Sequence, residues 1–130
     1  MIVIDASAVV AMLLDEPERA AFFSIVSQSE VRLSPVGYWE AAVKLGRQRG
    51  AEGVAELDQL LLDFEIEIVD AGPAVAREAV RAEQQFGKRT PANLNLGDCF
   101  ADALAKEMDA PLLFKGNDFS RTDIRPALPG

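Results

Sequence analysis

Asp98 and Asp102 stand four residues apart in Leu96-Gly97-Asp98-Cys99-Phe100-Ala101-Asp102. That spacing puts both carboxylates on one face of a helix. Like charges so placed repel unless a cation lies near them. The rest of the segment is apolar or small, so it reads as an inner helix carrying acids toward a cavity. Plainer readings remain open: Asp98 sits in a first turn, where the helix dipole favours an anion, and Asp102 can face solvent. Four more acids fall at suggestive places. Asp5 ends the run Ile2-Val3-Ile4. Glu40 lies beside Trp39, with Val36 and Val43 a turn away on either side, and Asp118 follows Leu112-Leu113-Phe114, with Asp123 five residues later. Each also has an ordinary role: a helix cap for Asp5, a surface pair with Lys44 for Glu40, a Gly-Asn-Asp turn for Gly116 to Asp118. Together they are hard oxygen donors of the kind that suit Mg²⁺ or Mn²⁺. Such a site activates water and steadies in-line attack on phosphorus.

Composition narrows the chemistry further. The chain has 130 residues, 13 Lys plus Arg, 21 Asp plus Glu, no His and one Cys. Without histidine, Ser-His, Cys-His and His-metal mechanisms are all excluded, and Zn²⁺ loses its usual donors. The lone Cys99 excludes a disulfide framework and a Cys-cluster zinc site. At this length the expectation is one domain spanning residues 1–130. The longest apolar run, Ala8 to Leu14, is too short to span a bilayer and no basic leader precedes it, so a cytoplasmic protein without membrane contact is expected. A net charge of −8 argues against loose, charge-driven binding to nucleic acid.

The elements that must position these acids follow from local pattern. Ile2-Val3-Ile4 is a β-branched run typical of a buried strand. Ser7 is a candidate cap for a helix over Ala8 to Leu14, and Glu16-Pro17-Glu18 opens a second helix with Phe22, Phe23, Ile25 and Val26 on its apolar stripe. Glu30 to Leu33 reads as a short strand. Ser34-Pro35 is a cap and first turn for a third helix reaching about Arg49. Gly50 and Gly53 bracket a link to a fourth helix carrying Val54, Leu57, Leu60, Leu61 and Phe64. Ile66 to Val69 alternates as a third strand, Asp70 to Pro73 is a turn, and Ala74 to Phe86 has helical spacing. Gly87 to Asn95 is a loop, Gly97 to Met108 a helix, Pro111 to Phe114 a fourth strand, and Ile124 a last edge strand before a Pro-rich tail. Short strands alternating with helices predict a three-layer α/β/α sandwich around a short, mostly parallel sheet. In such sheets ligands bind beyond the carboxyl ends of the strands, where the strand order reverses. Asp5 and Asp118 leave strands at such ends.

Ile2-Val3-Ile4-Asp5-Ala6-Ser7-Ala8, Tyr38-Trp39-Glu40, Leu96-Gly97-Asp98-Cys99-Phe100-Ala101 and Phe114-Lys115-Gly116-Asn117-Asp118-Phe119, in this order, resemble the PIN-domain nucleases. The likeness is closer to the VapC toxins of bacterial toxin–antitoxin pairs, and it spans nearly the whole chain. It implies that Asp5, Glu40, Asp98 and Asp118 form an acidic quartet holding Mg²⁺ or Mn²⁺. It also implies that Ser7 and Asn117 are polar helpers and Asp123 an accessory acid. Asp102 departs from the commonest pattern, where an uncharged residue stands, and is either an outer acid or a variant. Further implications are a single-stranded or looped RNA substrate cut by hydrolysis, a homodimer, and a cognate VapB antitoxin that blocks the site.

An acidic chain needs local help to bind RNA. Lys44, Arg47 and Arg49 on the third helix, or Lys88 and Arg89 in the long loop, are candidate phosphate contacts, though each also reads as ordinary solvated surface. The main rival is a receiver-type phosphoacceptor domain, with Asp70 as acceptor and Lys115 as its lysine. Against it, Asp5 is followed by Ala6 and Ser7 where a receiver needs paired acids, and Glu40 and Asp98 are left without a role.

Overall fold

The computed structural model describes residues 1–128; Pro129 and Gly130, the end of the expected tail, lie outside them. The chain runs β1 (Ile2–Ile4), α1 (Ala6–Leu13), α2 (Arg19–Ser27), β2 (Val31–Leu33), α3 (Pro35–Asp63), β3 (Glu67–Ile68), α4 (Pro73–Phe86), α5 (Leu96–Glu107) and β4 (Leu112–Leu113). All pairings are parallel, in the order β3-β2-β1-β4.

Alternation along β1 separates two cores. Ile2 and Ile4 point into one core with α1, α2 and α3, while Val3 points into the other with α4 and α5. Leu113 and Leu112 divide in the same way. This follows from a parallel sheet covered on both faces, and it is the expected α/β/α sandwich. Connections from β1 to β2 to β3 move outward in one direction, and the chain then crosses to the far side of β1 to place β4. The order therefore reverses between β1 and β4, and Asp5 and the 115–118 loop emerge side by side at that crevice.

Several local expectations need correction. The link bracketed by Gly50 and Gly53 is a single break at Gly50, whose φ of 66° is left-handed, inside one long α3. Gly53 lies within the helix after it and is buried. A Cβ there would lie 3.0 Å from the Leu45 carbonyl carbon, so its missing side chain lets the helix resume tightly against the turn before the break. Ile124 forms no strand; a parallel bridge joins Leu112 to Pro126 instead. β3 keeps only Glu67 and Ile68, both exposed at the sheet edge, where Glu67 meets Arg32 across the register at 3.4 Å.

Candidate metal centre

Asp5 is the N-cap of α1. Its Oδ2 accepts a hydrogen bond from the Ser7 N–H at 3.0 Å. The helix therefore begins at Ala6, before the expected start, and Ser7 is not its cap. The Ser7 Oγ instead accepts from the Lys115 N–H at 3.0 Å, tying the first turn of α1 to the chain leaving β4.

Asp98 is held by a reciprocal arrangement at the start of α5. Asn95 Oδ1 accepts from the Asp98 N–H at 2.8 Å, and Asp98 Oδ2 accepts from the Asn95 N–H at 3.1 Å, which makes a capping box. Asp5 is 3% exposed and Asp98 5%. Capping thus engages one oxygen of each carboxylate, and both residues also line a cavity of about 190 Å³ with Ser7, Glu40, Lys44, Asn95 and Asp118. The capping role and the cavity role coincide in the same side chains.

Glu40 reaches the cavity half-buried from α3. Its carboxylate lies against the backbone of Gly97, where a Cβ would stand 2.7 Å from the Glu40 Cδ. Among the described residues Glu40 forms no ion pair, and Lys44 acts on it only as a nearby charge. Asp118 is exposed on the loop after β4, at the cavity rim.

The electrostatics are those of crowded acids. Burial, followed by the charges of Asp5, Asp118 and Glu40, pushes the Asp98 carboxyl up to about 7, against the hydrogen bond from Asn95. Burial raises Asp5 as well, opposed by its hydrogen bonds from Ser7, and burial together with the Asp5 charge raises Glu40. Lys44 is the one basic side chain among the lining residues.

The accessory acids lie elsewhere. Asp102 is completely buried, so it does not face solvent, but it does not line the cavity either. Lys106 Nζ sits 3.2 Å from Asp102 Oδ1 and 3.0 Å from Asp123 Oδ1, so one ammonium serves both acids. Apart from this ion pair, neither Asp102 oxygen has a hydrogen-bond partner. Burial raises the Asp102 carboxyl and Lys106 opposes that rise. Asn117 is exposed, and its side chain does not line the cavity; its carbonyl accepts from the Ser120 Oγ at 2.6 Å. Among the expected phosphate contacts, Arg49 is engaged by Glu56 at 2.7 Å.

Among the described residues no three of the acidic or cysteine side chains are gathered tightly enough to hold a metal ion as they stand. The quartet lines the cavity without closing on one point. Its chemistry nevertheless fits a hard divalent cation: the donors are all carboxylates, two are buried, and their mutual repulsion lacks a matched positive partner.

The PIN domain family matches residues 2–125. Ribonuclease VapC30 of Mycobacterium tuberculosis is 44% identical over 130 residues, covering 98% of this chain and 99% of that protein. The chain belongs to the VapC ribonucleases of the PIN-domain family. Ribonuclease VapC of Mycolicibacterium smegmatis is 41% identical over 124 residues, 94% of this chain and 96% of that one. Two crystal structures share the fold. Mycobacterium tuberculosis VapC20, a Sarcin-Ricin loop cleaving toxin, superposes with a TM-score of 0.78 at 13% identity, over 95% of this chain and 96% of that one. VapBC2 from Rickettsia felis, bound to a DNA fragment from its promoter, gives 0.73 at 15%, over 97% and 96%.

Membership among the VapC ribonucleases removes the receiver reading, and the geometry agrees. Asp70 is exposed after the edge strand β3, and the Lys115 ammonium is paired with Glu16, with Glu18 at 3.8 Å. Asn95 and Gly97 shape this VapC cavity and Lys106 holds Asp102 apart from it, three roles that the sequence pattern does not single out. Asn95 was assigned to a loop, although Asn three residues before an acid is a capping-box pattern. Gly97 matters for an absent atom, which no propensity reports. Lys106 stands four residues after Asp102, a pairing distance that was legible.

Proposed function

We propose that Asp5, Glu40, Asp98 and Asp118 hold Mg²⁺ or Mn²⁺, and that the protein is the endoribonuclease toxin of a toxin–antitoxin pair, hydrolysing RNA phosphodiester bonds. The observation that carries this reading is the burial of Asp5 and Asp98 in one cavity with raised carboxyl pKa values and no cation matched to them. Buried like charges are costly unless something positive joins them. A bound divalent ion supplies the charge that activates water and offsets the negative charge growing at phosphorus. The chain's own part is orientation. Caps hold Asp5 and Asp98 by one oxygen each, and Ser7 anchors the strand end that leads to Asp118. Lys44 is placed to meet a phosphate beside the acids.

Purified protein should cleave structured RNA with Mg²⁺ or Mn²⁺ and stop with chelator. Cleavage that survives EDTA, or none on total cellular RNA with either ion, overturns the metal-dependent reading.

An acidic cavity also suits inhibition by a basic side chain. A VapB-like antitoxin is expected to place an Arg or Lys near Asp5, Glu40 and Asp98, replacing metal charge with side-chain charge; an antitoxin partner is supported by the Rickettsia felis neighbour, which is named VapBC2. Inhibition should weaken when that residue is made Ala. A homodimer is supported by exposed Val80 and Leu96, which flank an apolar depression of about 420 Å³ between α4 and α5. No helix of the described residues is long and apolar enough to cross a membrane, and a cytoplasmic site of action suits an RNA substrate.

A further inference from the structure

Trp39 is the only tryptophan of the chain and is 62% exposed. Burial of aromatic surface is strongly favourable, so an exposed indole gains from any partner that covers it. Its position is specific. The next residue, Glu40, lines the acidic cavity, and Trp39, Val43 and Arg47 follow at intervals of four along the same face of α3. Glu40 and Lys44 line both the cavity and the shallow depression that holds Trp39 and Arg47, so the two are continuous.

Charge identifies the occupant. In a protein with 21 acids against 13 bases, Lys44 and Arg47 form no ion pair among the described residues. Arg49, two residues on, is by contrast paired with Glu56. From Trp39 to Arg47 the helix rises about 12 Å, room for more than one nucleotide of an extended strand. An exposed aromatic interleaved with unpaired bases, opening onto a phosphodiester-cutting cavity, is the combination that binds single-stranded nucleic acid: bases stack and phosphates pair.

We propose that Trp39 is a stacking platform for an unpaired RNA base next to the scissile phosphate, with Arg47 as a phosphate contact on the same helix face. The proposal rests on the ribonuclease reading and deepens it. It gives the single-stranded or looped substrate implied by the resemblance a specific contact in this chain, since a base must leave its helix to lie on the indole. It also explains how a chain of net charge −8 engages RNA without a broad basic surface.

Because Trp39 is the sole tryptophan, its fluorescence reports the contact directly. Titration of a short mixed-sequence single-stranded RNA into the Asp118→Asn protein should quench the emission saturably, whereas the same RNA annealed to its complement should not. In the active protein, Trp39→Ala should raise KM for a loop-containing RNA roughly tenfold with an unchanged melting temperature, the order of one lost base–aromatic stack, and Trp39→Phe should recover most of it. Arg47→Ala should weaken binding to all sequences alike and lower the salt slope by about 0.7, one phosphate's share for a single strand.

RNA that is bound and cleaved without any change in Trp39 emission, or Trp39→Ala cleaving with the wild-type KM, overturns the platform while leaving the ribonuclease reading intact. Absence of cleavage by the wild-type protein itself overturns that reading instead. A Trp39→Ala protein whose oligomeric state shifts assigns the indole to a contact between copies. Emission that responds to an antitoxin segment but not to RNA assigns it to the partner. Either result also overturns the platform.

Discussion

Gly97 and Glu40 are in contact across two helices: a Cβ on Gly97 would fall 2.7 Å from the Glu40 Cδ. The glycine is therefore required for closeness and not for its backbone freedom. The Glu40 carboxylate is the far end of a flexible side chain, so a methyl group at position 97 can push it aside without disturbing either helix. Gly97→Ala should fold and melt within about 1 kcal/mol of the wild type, the range of ordinary small substitutions, yet cleave RNA at least tenfold more slowly. A Gly97→Ala protein of full activity would show that the position of Glu40 is unimportant.

The capping box gives Asp98→Asn a distinct signature. An Asn oxygen can still accept from the Asn95 N–H, so the helix start survives while one buried charge disappears. The variant should lose cleavage by orders of magnitude and melt at or above the wild-type temperature in EDTA. Asp118→Asn should lose activity as well, with a smaller rise in melting temperature, because Asp118 is exposed. Thermal melts beside cleavage assays test both, and an active but destabilised Asp98→Asn would reduce that residue to a cap.

Stability without metal should depend on pH in a direction fixed by Asp98. Folded, its carboxyl holds a proton up to about 7; unfolded, it releases it near the ordinary 3.8. Between those values the folded state binds more protons, so stability falls as pH rises and levels off above about 7. The charges of Asp5, Asp118 and Glu40 reinforce the rise at Asp98, and the hydrogen bond from Asn95 opposes it. Melts in EDTA at pH 5 and pH 8 should show the higher temperature at pH 5. Mg²⁺ should close the gap, adding roughly 2.7 kcal/mol at a hundredfold excess over its dissociation constant. Equal temperatures at the two pH values in EDTA would mean the acids do not repel in the folded protein.

Lys106 carries a separate load. Lys106→Met leaves the buried Asp102 without its cation and frees Asp123. Removing one partner of a buried pair costs roughly 3 kcal/mol. Acid pH should return part of the loss as Asp102 protonates, and Asp102→Asn in the same background should return more. Chemical denaturation of the three proteins measures this. A Lys106→Met protein of wild-type stability would show that the ammonium contributes nothing to holding Asp102 in the core.

Much of this arrangement was legible. The β-branched run Ile2–Ile4, the cap and proline at Ser34-Pro35 and the helical spacing of α4 and α5 are local signals, and local structure obeyed them. The acidic quartet was legible by its place at strand ends and on an inner helix, and the four side chains do line one cavity. What escaped depends on neighbours distant in sequence. Ser7 looked like a cap because its pattern fits one, yet Asp5 takes that role and the Ser7 hydroxyl is bound to Lys115, which the sequence places 108 residues away. Asp102 and Asp98 share a helix face by spacing, but about 40° of rotation and one turn of rise separate them, and only Asp98 lines the cavity while Asp102 meets Lys106. A cap and a cavity-lining role are compatible in one carboxylate, since it has two oxygens.

The left-handed joint at Gly50 acts as a phase boundary. Before it, α3 buries Ala41 and Leu45 and presents Glu40 and Lys44 to the cavity, with Trp39 beside them; after it, the helix buries Leu57, Leu60 and Leu61. In an unbroken helix, each inserted or deleted residue rotates everything downstream by about 100°. Here the rotation has a place to be absorbed. A length change close to Gly50 leaves each half aimed as before and falls instead on the contacts that bridge the joint, Gly53 against Leu45 and Arg49 against Glu56. The same change in the middle of either half would turn one face out of line with the acids or with the sheet.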